Sequence, residues 1–176
     1  MEFRDLKKQY QVLKTDIDAA MIKVATECNC ISGQQVSELE AELAEYVGVK
    51  HCISCANGTD ALSLAAIAWG WGPGDAIFVP DFTFFSSGEI VADEGATPIF
   101  VDIEETTFNM SPSSLEEAIK VVLKEGKLTP KGVVAVDLFG QPANFNEIIP
   151  ICRKYNLQLL EDAAQGFGGQ IGNKMA

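Results

Sequence analysis

The sequence predicts an α/β fold: an α-β-α sandwich on a mainly parallel sheet, preceded by N-terminal helices. Three observations carry that expectation. Short apolar runs of strand length alternate with longer segments whose apolar residues recur every three or four positions. The runs are apolar nearly throughout, as strands covered on both faces require. Finally, 176 residues with 47% hydrophobic content suffice for one good-sized core and are too few for two ordinary ones.

Phe3, Leu6, Tyr10, Leu13, Ile17, Met21 and Val24 fall on one face of a first helix. The loop 29-NCISG-33 interrupts it. A second helix then places Val36, Leu39, Leu43 and Val47 on one side and ends at Gly48. From His51 the pattern changes. Strands are expected at 51-HCIS-54, 76-AIFV-79, 97-TPIFV-101, 133-VVAV-136 and 157-LQLL-160. Helices are expected between them over about 60–69, 84–94, 113–125 and 144–155. The expected organisation is an N-terminal helical segment over 1–50 and a sheet domain over 51–176. Turns such as 70-GWGPGD-75 punctuate the chain, and no internal repeat or low-complexity tract interrupts it.

Thirteen basic against 25 acidic residues give a net charge of −12, which argues against a nucleic-acid or anionic-membrane partner. The opening 1-MEFRDLKKQYQVLK-14 has no uninterrupted apolar core, so it reads as neither signal peptide nor membrane span. Five cysteines, an odd number, make a disulfide framework a poor fit and a reducing, cytosolic setting the expectation.

In a parallel sheet, ligands bind beyond the carboxyl ends of the strands. After the first expected strand, 55-CANGTDALSLAA-66 places Asn57 and Gly58 in a turn and Thr59 where a helix starts. Such a start is either a plain helix cap or an anion site made of free N–H groups, the helix dipole and a hydroxyl. After the second, 80-PDFTFFSSG-88 brings Thr83, Phe84 and Phe85 to the mouth of the sheet. Phe84 either stacks on a flat ring or packs under the next helix. The turn 137-DLFGQPAN-144 says little. After the fifth strand comes 161-EDAAQGFGG-169. A carboxylate at a buried strand end is costly unless paired, and no lysine or arginine lies nearby in sequence. Asp162 either caps the turn, with Glu161, or waits for a cation that a ligand brings, such as a protonated ring nitrogen. A phosphate end, a flat ring and a ring nitrogen together describe pyridoxal phosphate.

The segments 54-SCANGTDAL-62, 72-GPGD-75, 80-PDFTFF-85, 99-IFVDI-103, 139-FGQP-142 and 161-EDAAQGFG-168, in order along the chain, resemble the DegT/DnrJ/EryC1/StrS family of sugar aminotransferases. So do 3-FRDLKKQY-10 and 31-ISG-33. The resemblance implies a fold-type I large domain over 51–176, incomplete at its C-terminal side, with pyridoxal 5'-phosphate as cofactor. It also implies amination of a nucleotide-linked keto sugar, with glutamate as amino donor, in a homodimer. By the same resemblance Gly58 and Thr59 hold the cofactor phosphate, Phe84 stacks on the ring, Asp162 binds the ring nitrogen and Gln165 the ring hydroxyl.

Two departures stand out. Asp137 occupies a position where the family often has histidine. The Schiff-base lysine of the family lies beyond EDAAQ, and Lys174, in 172-GNKMA-176, lacks its flanking pattern and reads as a solvated loop residue. The chain is therefore expected to be the N-terminal part of an aminotransferase, unable to turn over alone. Related alternatives are a dehydratase of the same family and a non-catalytic regulatory protein that keeps the pocket. Other chemistries fit less well. Cys52 and Cys55 form a C-x-x-C but point to opposite faces of a strand, so no metal is expected. The loop 166-GFGGQIG-172 has Ile171 where a dinucleotide fingerprint needs glycine, and one histidine does not make a hydrolase.

Overall fold

A computed structural model of the chain describes residues 4–176. Phe3, which the periodicity assigns to the first helix, lies outside the described residues. The chain forms two compact units that meet in sequence between Ile53 and Ser54.

The first unit holds two helices. Helix α1 (Leu6–Glu27) begins at Asp5, whose carboxylate accepts the Lys8 N–H at 2.8 Å, and ends at Cys28 in the left-handed conformation. Helix α2 (Gln34–Val47) ends at Gly48, whose N–H returns to the Ala44 and Glu45 carbonyls at a φ of 77°. Gly33 lets the intervening loop close, because a Cβ there would stand 2.6 Å from the Asn29 carbonyl oxygen. Neither helix buries a side chain, and no described helix is long and apolar enough to cross a membrane.

The second unit is the sheet domain. It runs α3 (Gly58–Trp69), β1 (Asp75–Pro80), α4 (Ser86–Asp93), β2 (Thr97–Val101), α5 (Pro112–Glu125), β3 (Thr129–Val136), a 3-10 turn (Leu138–Gly140), α6 (Phe145–Tyr155) and β4 (Gln158–Asp162). A short antiparallel hairpin follows, β5 (Gln170–Ile171) with β6 (Lys174–Met175). The four main strands are parallel in the order β2-β1-β3-β4. Four of the five expected strands are therefore present, and 51-HCIS-54 is not one of them. Its backbone is irregular and Ile53 is 82% exposed. An extended segment keeps strand geometry when a neighbour satisfies its amides, and none of the four sheet strands pairs with this one. Strand β4 runs two residues further than its apolar run, because Ala135 and Val136 of β3 pair with Glu161 and Asp162.

Strand alternation sorts the core into two layers. Ala76, Phe78, Val133 and Ala135 face α5 and α6, where Leu115, Ile119, Ile148 and Cys152 meet them. Ile77, Val79, Val134 and Val136 face α3 and α4, against Leu62, Ala66, Ile90 and Val91. Burial pushes the Cys152 thiol up to about 11, so it stays protonated as a small apolar filler. Trp71 is buried against bare backbone: a Cβ on Gly132 would lie 2.5 Å from its Cζ2, and its indole N–H donates to Gln158 Oε1 at 2.6 Å.

On the α5/α6 face the strands end in two carboxyls, Asp137 and Glu161. Asp137 is fully buried; its Oδ1 accepts the Ala143 N–H at 2.8 Å, while Oδ2 has no donor. Burial raises the Asp137 carboxyl, the Ala143 and Glu161 contacts oppose the rise, and the Asp162 charge adds to it. Much of the Glu161 side chain is exposed, yet loss of water around its carboxyl, reinforced by Asp137, pushes it up to about 7.

Two outcomes follow from this packing. Gly132→Ala is expected to lower stability by about 1–3 kcal/mol, read as a lower denaturant midpoint, and an unchanged midpoint would show that Trp71 has room to move. The Glu161 carboxyl has a folded value above its unfolded one of 4.5, so its stabilising contribution is complete below about 4.5 and is lost as pH rises through about 7. Relative to Glu161→Gln, the wild-type Tm should fall across that window and level off above it. A constant difference would show that burial beside Asp137 does not hold a proton on Glu161.

Candidate functional site

Strands β2 and β3 lie on opposite sides of β1, and helices α4 and α5 leave for opposite faces of the sheet. Such a reversal opens a crevice at the carboxyl ends of the strands. A cavity of about 320 Å³ lies there, a size suited to a small ligand. It brings together all five residues that the resemblance assigned to the cofactor: Gly58, Thr59, Phe84, Asp162 and Gln165.

One end of the cavity is the start of α3. Asn57 caps the helix, its Oδ1 accepting the Asp60 N–H at 2.9 Å. The N–H groups of Gly58 and Thr59, one turn too early for an intrahelical acceptor, remain available. A Cβ on Gly58 would meet nothing within 4 Å, so an anion can approach this backbone directly. The Thr59 hydroxyl lies 2.9 Å from Ser86 Oγ, which fixes it beside the helix start. The donor set is that of a phosphate site, with the positive end of the helix dipole behind it.

Phe84 is 68% exposed at the cavity wall, and Phe85 is exposed as well, so neither packs under α4. Asp162 is 8% exposed. Its Oδ1 accepts the Ala164 N–H at 3.3 Å, a turn cap, while Oδ2 accepts the Ser87 hydroxyl at 3.0 Å. Among the described residues no lysine or arginine pairs with it. Gln165 is oriented from behind. The Phe139 N–H donates to its Oε1 at 2.8 Å, so its Nε2 is the group left to donate.

Lys174 takes no part in this cavity. It sits in strand β6 of the terminal hairpin rather than in a loop, and it lines a second cavity of about 670 Å³ with Glu161, Leu159 and Phe145, residues of the α5/α6 face.

Residues that the sequence did not single out do much of the positioning. Ser86 carries the hydroxyl that meets Thr59 and Ser87 the one that meets Asp162, while Thr83, which its motif had already placed at the mouth of the sheet, stands 3.1 Å behind Ser87. Asn109, buried after β2, latches the loop after β3: its Oδ1 accepts the Leu138 N–H at 3.0 Å and its Nδ2 donates to the Gln141 and Pro142 carbonyls. Beside it Phe108 and Phe139, both in the left-handed conformation with φ of 61° and 58°, meet edge-on at 6.1 Å, and Phe82 completes the group. The only hint in sequence was the DLFGQPAN turn itself.

The comparisons with known proteins bear on the whole of this arrangement. The DegT/DnrJ/EryC1/StrS aminotransferase family matches residues 11–176. A UDP-2-acetamido-2-deoxy-3-oxo-D-glucuronate aminotransferase of Pseudomonas aeruginosa is 45% identical over 176 residues, 99% of this chain and 46% of the relative. A solved DegT DnrJ EryC1 StrS aminotransferase from Brucella abortus matches with a TM-score of 0.98 and 46% identity, over 99% of this chain and 47% of that one. A Bacillus subtilis structure with the cofactor PMP bound matches with a TM-score of 0.80 and 31% identity, over 88% of this chain and 34% of that one. This chain thus spans somewhat less than half the length of the curated relatives it matches. Its parallel sheet between helix layers is the fold-type I architecture. The chain belongs to the DegT/DnrJ/EryC1/StrS aminotransferase family, whose cofactor is pyridoxal 5'-phosphate.

Proposed function

We propose that this chain is the cofactor-binding portion of an aminotransferase that converts a nucleotide-linked keto sugar to an amino sugar, with glutamate as amino donor. The observation that carries it is the convergence of Gly58, Thr59, Phe84, Asp162 and Gln165 on one cavity. The substrate class follows the Pseudomonas aeruginosa relative, whose substrate is a UDP-linked keto sugar. The working unit is a homodimer.

In this reading each end of the cavity has one task. Gly58 and Thr59 hold the phosphate through two backbone N–H groups and a hydroxyl. Phe84 covers one face of the ring. Asp162 holds a proton on the ring nitrogen, a charge-assisted contact worth about 1.5–3 kcal/mol. Gln165 Nε2 donates to the ring oxygen, since its own oxygen is already engaged by Phe139. When bound, pyridoxal phosphate supplies an electron sink for the carbanion that transamination requires. The chain's own contribution is to anchor and orient that ring and to hold the proton on its nitrogen.

Titration of the purified chain with pyridoxamine 5'-phosphate, which needs no covalent attachment, tests this directly. Saturable one-to-one binding is expected, weakened by about 10- to 150-fold in Asp162→Asn. Absence of binding, or binding indifferent to Asp162, would overturn the assignment.

A further inference from the structure

Ser87 is fully buried and uncharged, and its hydroxyl is the side-chain donor to Asp162, 75 residues away in sequence. An ionised carboxylate only accepts, so the proton between Ser87 Oγ and Asp162 Oδ2 belongs to Ser87. With that proton committed, Ser87 Oγ has only lone pairs to offer Thr83 Oγ1, 3.1 Å away. The Thr83 hydroxyl is therefore the donor in that pair. The direction of the chain is fixed from Thr83 to Ser87 to Asp162, and each bond polarises the next.

We propose that Thr83 and Ser87 are positioning residues for Asp162, a hydroxyl relay that sets the orientation of its carboxylate and keeps its charge available to a cationic ring nitrogen. The proposal rests on the assignment of the cavity as a pyridoxal-phosphate site. Ser87 on Oδ2 and the Ala164 N–H on Oδ1 hold the two oxygens from different elements, the start of α4 and the turn after β4. The carboxylate plane is thereby fixed, and its remaining lone pairs serve the cavity that Asp162 lines. A protonated ring nitrogen in the cavity would meet those lone pairs directly. A lysine at position 87 would satisfy the same oxygen but cancel the charge, whereas a hydroxyl satisfies it and leaves the attraction intact.

The test uses pyridoxamine 5'-phosphate labelled with nitrogen-15 in the ring, reading both affinity and the ring nitrogen resonance. Ser87→Ala is expected to weaken binding by about 5- to 15-fold, the equivalent of one hydrogen bond, and to move the resonance toward that of unprotonated pyridine. Ser87→Thr, which restores a hydroxyl, should return both to wild-type values. Thr83→Val keeps the Ser87–Asp162 bond and removes only the donor behind it, so it should shift the resonance the same way by less. It also carries the test should Ser87→Ala not fold. A resonance unmoved in Ser87→Ala and Thr83→Val, even with weaker binding, would overturn the relay and leave Ser87 a packing residue. If the wild-type chain binds no pyridoxamine phosphate, the cofactor assignment itself fails and the relay with it.

Discussion

Asp162 is a carboxylate taken almost out of water at the end of a parallel strand, and the loops around it are arranged so that it can stay there. An uncompensated charge in that place would cost several kcal/mol, and the common remedy is a lysine or arginine. Here the compensation is assembled from neutral donors, the Ser87 hydroxyl and the Ala164 N–H. Its backbone is secured separately. Val136 pairs with Asp162, and the Asp137 N–H donates to the Asp162 carbonyl at 3.0 Å, which carries the β3–β4 ladder past the end of β3. Asp137 is in turn pressed against the glycine loop, where a Cβ on Gly166 would stand 2.4 Å from the Asp137 Cβ. The opening EDAAQ of that loop and its first glycine are thus two parts of one constraint.

The same economy of charge extends to the whole chain. Its net charge is −12, and a phosphate ligand is an anion. Long-range attraction therefore does not draw such a ligand in, and salt screens what repulsion there is beyond about 10 Å. On the proposed reading the attraction is local, supplied by the free amides at the start of α3 and the dipole behind them. A binding site of fixed dipoles in an acidic protein discriminates by geometry, since only a ligand already inside the crevice feels it.

Most of the fold was legible in the sequence because it rests on local pattern. The apolar runs at 76–79, 97–101 and 133–136 lie within strands, the run at 157–160 does so from Gln158 on, and the amphipathic segments between them are helices. The run at 51–54 shows where that logic stops: composition allows a strand, but pairing decides it. The cavity-lining residues were visible because each follows a strand or opens a helix within a recognisable motif. What surrounds them was not. Ser87 acts on a residue 75 positions away, and Asn109 reaches 29 positions to Leu138. Neither a serine at a helix start nor an asparagine in a loop announces a partner, because such contacts are set by topology rather than by local propensity. The exposed end of β4 was similarly hidden, since Glu161 read as a turn cap until its neighbour Asp137 was placed beside it.

The two phenylalanines in left-handed backbone have a consequence for the energetics of ligand entry. Holding a bulky residue there costs about 1–3 kcal/mol, and Phe108 and Phe139 do so side by side, clamped by Asn109. That cost is met once, at folding, and it leaves the loop that orients Gln165 with little freedom to lose. A ligand that meets a Gln165 already held in place by the Phe139 N–H surrenders little of its interaction free energy to ordering that side chain. Loosening the clamp would let the loops relax, so the folded chain could gain stability while its grip on small molecules weakened.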